Sequence, residues 1–264
     1  MITSLQNEQV KRARALHKQR SARAEAGRFV IEGSHLVEEA LQANDTLEEV
    51  FFTRRFSESD EGARLLGRLS GMPVQPQLVH DSVMKSMCDT VTPQGIVAIA
   101  PMPEREIHDP LTFALIIDAV NDPGNMGTIL RTAAGAGVPV VFLMPGSVDP
   151  FSPKVVRGAM GAHFRLPMRS LAWEQLKATL GNLPILLADS GEGVPCYQVD
   201  WTQPCALIVS SEARGASSEA EKLASSRVTI PMPGQIESLN VAMATGILIY
   251  EMLRQRLVHQ ENNS

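Results

Sequence analysis

The spacing of apolar and polar residues changes period repeatedly along this chain. Ser4 to Ala26 reads as one polar, basic helix, with Ser4 as its N-cap and Gly27 as its stop. Phe29-Val30-Ile31 is a short strand, and Leu36 to Leu41 sits on a second helix. Val50-Phe51-Phe52 predicts another strand and Glu61 to Leu69 another helix. Met72-Pro73-Val74 and Gly95 to Ala100 are read as further strands, so residues 1–100 make a small α/β unit. Pro101-Met102-Pro103 and the charged stretch from Glu104 to Pro110 have the composition of a linker, residues 101–110.

After Pro110 the alternation restarts more strongly. Leu111 to Ala119 is a continuous apolar run, as in a strand covered on both faces. Helix Met126 to Ala136, strand Val138 to Leu143, helix Lys154 to Met160 and strand Phe164 to Met168 follow. Helix Trp173 to Leu180 and strand Pro184 to Ala188 come next, then strand Ala206 to Val209 and helix Ser218 to Ala224. Strand Val228 to Ile230 and a long helix from Leu239 to Leu257 close the pattern. Strands alternating with helices predict a mostly parallel sheet covered on both faces, here over residues 111–264.

Composition narrows the class. Of 264 residues 44% are hydrophobic and 20% charged, which excludes wholesale disorder. No apolar run reaches the roughly 20 residues of a membrane helix, so no membrane partner is expected. Met1 to Val10 carries no basic-then-apolar signal pattern, and the expected compartment is the cytoplasm. Cys88, Cys196 and Cys205 are far apart, with no CxxC and no HExxH, so neither a disulfide framework nor a metal site is expected. The net charge of −5 hides a gradient: residues 1–30 carry Lys11, Arg12, Arg14, Lys18, Arg20, Arg23 and Arg28 against Glu8 and Glu25. A local basic block on an acidic body suits a phosphate-bearing partner, although a solvated helix face has the same pattern.

Ligands of parallel α/β sheets collect at the carboxyl ends of strands, which directs attention to three loops. The first is Asn121-Asp122-Pro123-Gly124-Asn125-Met126-Gly127, with Arg131 expected one turn into the helix that follows, so that Asn125 and Arg131 lie around one helix N-terminus. The second is Ser210-Ser211-Glu212-Ala213-Arg214-Gly215, and the third runs from Ile230-Pro231-Met232 to Ser238-Leu239-Asn240. No GxxxxGK[ST] and no GxGxxG after a strand is present, so the common nucleotide fingerprints are absent. Loops of this kind can hold a ligand through main-chain groups, with little side-chain signature. Taken singly, each residue has a plainer reading. Arg131 could form a surface salt bridge, Glu212 could cap a segment, Ser238 and Asn240 could cap the last helix, and His163 reads as a core or interface histidine.

Taken together, Asn125-Met126-Gly127-Thr128-Ile129-Leu130-Arg131-Thr132-Ala133, the Glu212 loop, and Ile230-Pro231-Met232 through Ser238-Leu239-Asn240-Val241-Ala242 resemble the three ordered motifs of the SpoU (TrmH-like) family. That family comprises S-adenosylmethionine-dependent RNA ribose 2′-O-methyltransferases of the SPOUT class. The resemblance spans residues 111–258, and Phe29-Val30-Ile31-Glu32-Gly33 resembles the ribosomal-protein-like RNA-binding domain that many members carry. It implies a SPOUT-type parallel sheet with a C-terminal trefoil knot, a rare exception to unknotted topology, and a homodimer with its sites near the subunit interface. It implies Arg131, Asn125, Glu212, Ser238 and Asn240 as catalytic-motif residues, and Ser210, Gly215, Ile230, Met232 and Leu239 as contacts to S-adenosylmethionine. The family commonly has glycine where Ser210 and Ala213 stand, a departure that bears on the adenosine pocket.

The implied substrate is RNA, with ribosomal RNA favoured by the N-terminal domain and transfer RNA as the alternative. A knotted RNA-binding or ribosome-assembly protein without activity, and a knotted methyltransferase acting on a base, are the competing classes. With the basic block in the first 30 residues and the motifs after Pro110, RNA capture and chemistry are expected to be separable by removing residues 1–100.

Overall fold

The computed structural model describes residues 1–211, 215–234 and 236–262; Glu212, Ala213, Arg214, Gln235, Asn263 and Ser264 lie outside the described residues. The chain forms two compact units. Met1–Pro103 with Asp149–Phe164 makes the first, and Glu104–Val148 with Arg165–Ser264 the second.

The first unit is built on β1 (Arg28–Glu32), β2 (Glu49–Thr53), β3 (Gln77–Val79) and β4 (Ile96–Pro101), in the order β1-β4-β2-β3. β4 runs antiparallel to both β1 and β2, while β3 is parallel to β2. Because strand side chains alternate, both faces of this sheet are apolar and both are covered. Phe29, Ile31, Val50, Ile96 and Ala98 pack with Leu36, Leu65 and Leu69 on one face. Val30, Phe51, Val97 and Ile99 pack with Val10, Leu16, Val83 and Met87 on the other.

The single helix expected over Ser4 to Ala26 is two, Glu8–Lys18 and Arg20–Ala26, broken at Gln19 in extended backbone. Asn7 rather than Ser4 is the N-cap, its side chain accepting from the N–H groups of Gln9 and Val10. Gly27 does stop the second helix, at φ +62°. The break has an electrostatic cause: Arg23 turns inward, donates to the carbonyls of Leu16 (2.7 Å) and His17 (3.2 Å), and so satisfies oxygens that a continued helix would have used. Met72-Pro73-Val74 forms no strand. The third strand is Gln77–Val79, and the helix Asp81–Met87 behind it was not read from the pattern.

The excursion Asp149–Phe164 belongs to the first unit although the sequence pattern assigned all of 111–264 to one domain. Phe29 packs on the rings of Phe151, His163 and Phe164 at centroid distances of 5.1, 5.8 and 5.9 Å. Arg157 pairs with Asp89 at 3.0 Å, and Arg23 Nε donates to Asp149 at 2.8 Å. Phe164, spent in this core, lies in a short 3₁₀ turn, Ala162–Phe164, and the expected strand begins only at Met168.

The second unit holds a parallel sheet. Its strands are β5 (Phe113–Asp118), β6 (Val141–Leu143), β7 (Met168–Ser170), β8 (Ile185–Asp189), β9 (Val194–Pro195), β10 (Cys205–Ser210) and β11 (Ser226–Thr229). The spatial order is β7-β6-β5-β10-β8-β11-β9, with parallel pairing throughout the described ladders. β5 is buried along its whole length between β6 and β10, as its unbroken apolar run predicts. One face is covered by Leu176, Leu180 and Ala220 from helices Trp173–Leu180 and Ser218–Leu223. The last helix, Val241–Asn262, packs against helix Pro123–Gly135 and β10. Its far end is pinned by Gln255, which accepts from Trp201 N–H at 3.0 Å, and by Arg256, which donates to the Trp201 carbonyl at 2.8 Å. Among the described residues no helix is long and apolar enough to cross a membrane.

Candidate functional site

β10 is inserted between β5 and β8, and β11 between β8 and β9, so three strand ends meet side by side. At the carboxyl ends of β10, β8 and β11 lies a cavity of about 300 Å³. Leu187, Val209, Val228 and Leu248 supply its apolar surface, while Asp189, Ser190, Ser211 and Glu221 add polar groups. All five residues expected to touch the cofactor, Ser210, Gly215, Ile230, Met232 and Leu239, line this one cavity, and Ser238 lines it with them. A mostly apolar cleft with main-chain groups at strand ends and a few polar side chains fits a nucleoside-sized ligand.

Asp189 and Glu221 were not singled out from the sequence. Their signal was position, since Asp189 ends a strand and Glu221 lies on the helix that follows the second loop. The N–H of Gly191 holds the Asp189 carboxyl below the usual carboxylate range, with help from Glu192 N–H and the Arg227 guanidinium. Arg227 binds both Asp189 and Glu221, tying two lining carboxylates together.

The first and third loops meet through an amide pair. Asn240 Nδ2 donates to Asn125 Oδ1 at 2.9 Å. Asn240 Oδ1 accepts from the N–H groups of Ala242 (3.0 Å) and Met243 (3.3 Å), so the residue also caps the last helix. The capping reading of Asn240 holds, and the same side chain also joins the third loop to the first. Asn125 is fixed from the other side by Asp122, whose Oδ1 accepts its N–H at 2.8 Å at the start of helix Pro123–Gly135.

Arg131 sits elsewhere. The helix begins at Pro123, so Arg131 lies more than two turns into it rather than at its N-terminus, about 9 Å along the axis from Asn125. Its side chain is exposed, does not line the cavity and has no hydrogen-bond or ion-pair partner among the described residues. Glu212 lies outside the described residues.

The basic block is not uniform. Arg23 is buried and committed to Asp149 and two carbonyls, so, contrary to the expectation from the basic block, it cannot face RNA. Arg12 pairs with Glu48 (2.9 Å) and Glu49 (3.1 Å), and Lys11 with Glu8 (2.9 Å). Arg28 donates to Glu48 and holds that carboxyl below its usual range. Arg14 is half-buried, whereas Lys18 and Arg20 are exposed and have no partner among the described residues. The cysteines offer no thiolate for chemistry: burial pushes the Cys205 thiol up to about 11, and those of Cys88 and Cys196 also upward.

Fold and cavity together define a parallel α/β domain with a nucleoside-sized cavity at its strand ends. The model of the SpoU rRNA methylase family matches residues 112–250, and that of the MRM3-like substrate binding domain matches residues 7–98. The chain belongs to the SpoU rRNA methylase family. It is 36% identical over 260 residues to an uncharacterised tRNA/rRNA methyltransferase of Synechocystis, covering 97% of this chain and 94% of the relative. It is 34% identical over 258 residues to the 23S rRNA (guanosine(2553)-2′-O)-methyltransferase RlmP of Bacillus subtilis, covering 95% and 98%. A crystal structure of an AdoMet-bound rRNA methyltransferase from Sinorhizobium meliloti superposes with a TM-score of 0.83 at 28% identity, covering 96% of this chain and 97% of that one.

Proposed function

We propose that this protein transfers a methyl group from S-adenosylmethionine to a ribose 2′-hydroxyl in ribosomal RNA. The observation that carries the reading is the convergence of Ser210, Gly215, Ile230, Met232, Ser238 and Leu239, from two separate loops, on one cavity. Its fit to the donor rests on that lining: apolar side chains for the adenine and methionine chains, and strand-end main-chain groups for the polar edges. When bound, S-adenosylmethionine supplies an electrophilic sulfonium methyl group. The protein's part is alignment, which is the larger share of such a rate enhancement.

Arg131 is the group on the RNA side. A guanidinium is too weak an acid to serve as a general base. Its planar fork instead holds the target phosphate and ribose and stabilises charge developing on the 2′-oxygen. Asn240 locks the first loop to the third through its bond to Asn125. The Nδ2 of Asn125 has no partner among the described residues and is free to orient the hydroxyl. Ser238 completes the rim.

The active form in this reading is a homodimer with a knotted C-terminal segment. Supporting the dimer, Met243, Ile247, Tyr250 and Leu257 form a solvent-facing apolar stripe on the last helix, with Met243 60% exposed. An exposed Arg131 outside the cavity suits a site completed near such an interface. Supporting the knot, β10 and β11 are inserted between strands laid down earlier in the chain. RNA capture is assigned to the first unit, where Lys18 and Arg20 are the available cations of the basic block. Titration calorimetry tests the reading: one S-adenosylmethionine per chain is expected, and folded protein that binds neither it nor S-adenosylhomocysteine would overturn the assignment.

A further inference from the structure

Asp118 ends β5 opposite Ser210, the last residue of β10. Its side chain is 1% exposed, and nothing in the proposed reaction uses it. One oxygen, Oδ2, accepts from Ser210 Oγ at 3.1 Å and from the N–H of Ser217 at 2.7 Å. The Asp118 carbonyl accepts a third bond, from Ser211 N–H at 3.2 Å. Ser210 opens the second loop, and Ser217 is the N-cap of the helix that leaves it, its side chain accepting from Ala220 N–H. A single carboxylate therefore holds both ends of one loop. Between those ends, Gly215 N–H closes onto the Ser211 carbonyl at 2.8 Å, and Ser210, Ser211, Gly215 and Ala216 all line the cavity.

The other oxygen, Oδ1, is buried and has no partner among the described residues. A core selected for packing alone would not keep a half-satisfied carboxylate there, because an unpaired buried oxygen opposes folding. An aliphatic side chain would fill the space without that penalty. What only a carboxylate or its amide provides at this position is an acceptor that reaches two donors from different segments.

We propose that Asp118 is a positioning residue for donor binding: by clasping Ser210 and Ser217 it fixes the wall formed by Ser210, Ser211, Gly215 and Ala216. The inference rests on reading the cavity as the S-adenosylmethionine site, so wild-type calorimetry is the first arm of its test. Asp118→Ala should weaken S-adenosylmethionine about tenfold, the scale of losing two buried hydrogen bonds, while kcat at saturating donor stays within about threefold. Asp118→Asn keeps the acceptor oxygen and should recover affinity to within about threefold of wild type. Ser210→Ala removes one donor and should weaken binding about two- to fivefold with an unchanged melting temperature. A folded Asp118→Ala protein with wild-type affinity overturns the proposal, and so does Asp118→Asn binding as weakly as Asp118→Ala. If Asp118→Ala does not fold, wild-type affinity in Ser210→Ala overturns it. Wild-type protein that binds no donor overturns the functional reading and this inference with it.

Discussion

Lowering the pH from 7 to 5 should destabilise the folded protein by about 2 kcal/mol through His163 alone. The ring is 1% exposed, packed against Phe29 and Phe151, and burial pushes its pKa down to about 4. Its Nε2 donates to the Pro150 carbonyl at 2.7 Å, while Nδ1 is buried without a partner, so the imidazole is held neutral. In the unfolded chain the same ring titrates near 6.5. A depressed histidine contributes its stability in full above the unfolded pKa. That contribution is lost as pH falls from about 6.5 to about 4, because only the unfolded chain takes up the proton in that window. The assay is urea unfolding of wild type and His163→Leu at pH 7 and pH 5. His17, also pushed down by burial, acts in the same sense, and Glu49, pushed up by burial, in the opposite one. Both are common to the two proteins and cancel in the comparison. The variant should lose about 2 kcal/mol less than wild type between the two pH values, whatever its own stability at pH 7. Equal pH dependence in the two proteins would refute the argument.

Four further outcomes are expected. Arg131→Ala should abolish methyl transfer with donor affinity retained, read by labelled-donor transfer and calorimetry; a parallel loss of donor affinity would place the residue in the cofactor cavity. Arg23→Ala should destabilise the chain by about 3 kcal/mol, since it removes the cation from the largely buried Asp149, whose Oδ1 keeps only the Phe151 N–H, and the donor from two carbonyls, without changing the salt dependence of RNA binding. Lys18→Ala with Arg20→Ala should do the reverse, reducing the slope of log affinity against log salt by roughly 0.7–0.9 per lost phosphate contact. Residues 104–264 alone should scatter light as aggregates, because Phe151, Val156 and Phe164 would lose the core they share with Phe29; a soluble, donor-binding fragment would show that Asp149–Phe164 folds without the first unit.

The centre of the second sheet was legible because β5 and β10 are buried on both faces. Runs such as Phe113–Asp118 and Cys205–Ser210 carry no polar alternation that could be mistaken for helix periodicity. The three loops were legible as ordered motifs, yet the clasp at Asp118 was not, because a carboxylate at a strand end has no local pattern until β5 and β10 are paired. The break at Gln19 and the burial of Arg23 were hidden for a similar reason. Their cause is Asp149, which lies 126 residues beyond Arg23 in sequence. The excursion Asp149–Phe164 looked like one more helix of the second sheet because its local pattern is helical. Which core received Phe151, Val156 and Phe164 depends on a distant partner, Phe29, that no window of the sequence contains.

The most direct test of the central claim is to locate the transferred methyl group. Purified protein, labelled S-adenosylmethionine and unmodified ribosomal RNA would be combined, and the product hydrolysed with alkali. A 2′-O-methyl group blocks cleavage at its own phosphodiester, so the account predicts that the label is recovered in one alkali-resistant dinucleotide and is lost in the Arg131→Ala variant. Label recovered on a base in mononucleotides, or no label in RNA from protein that binds the donor, would contradict it.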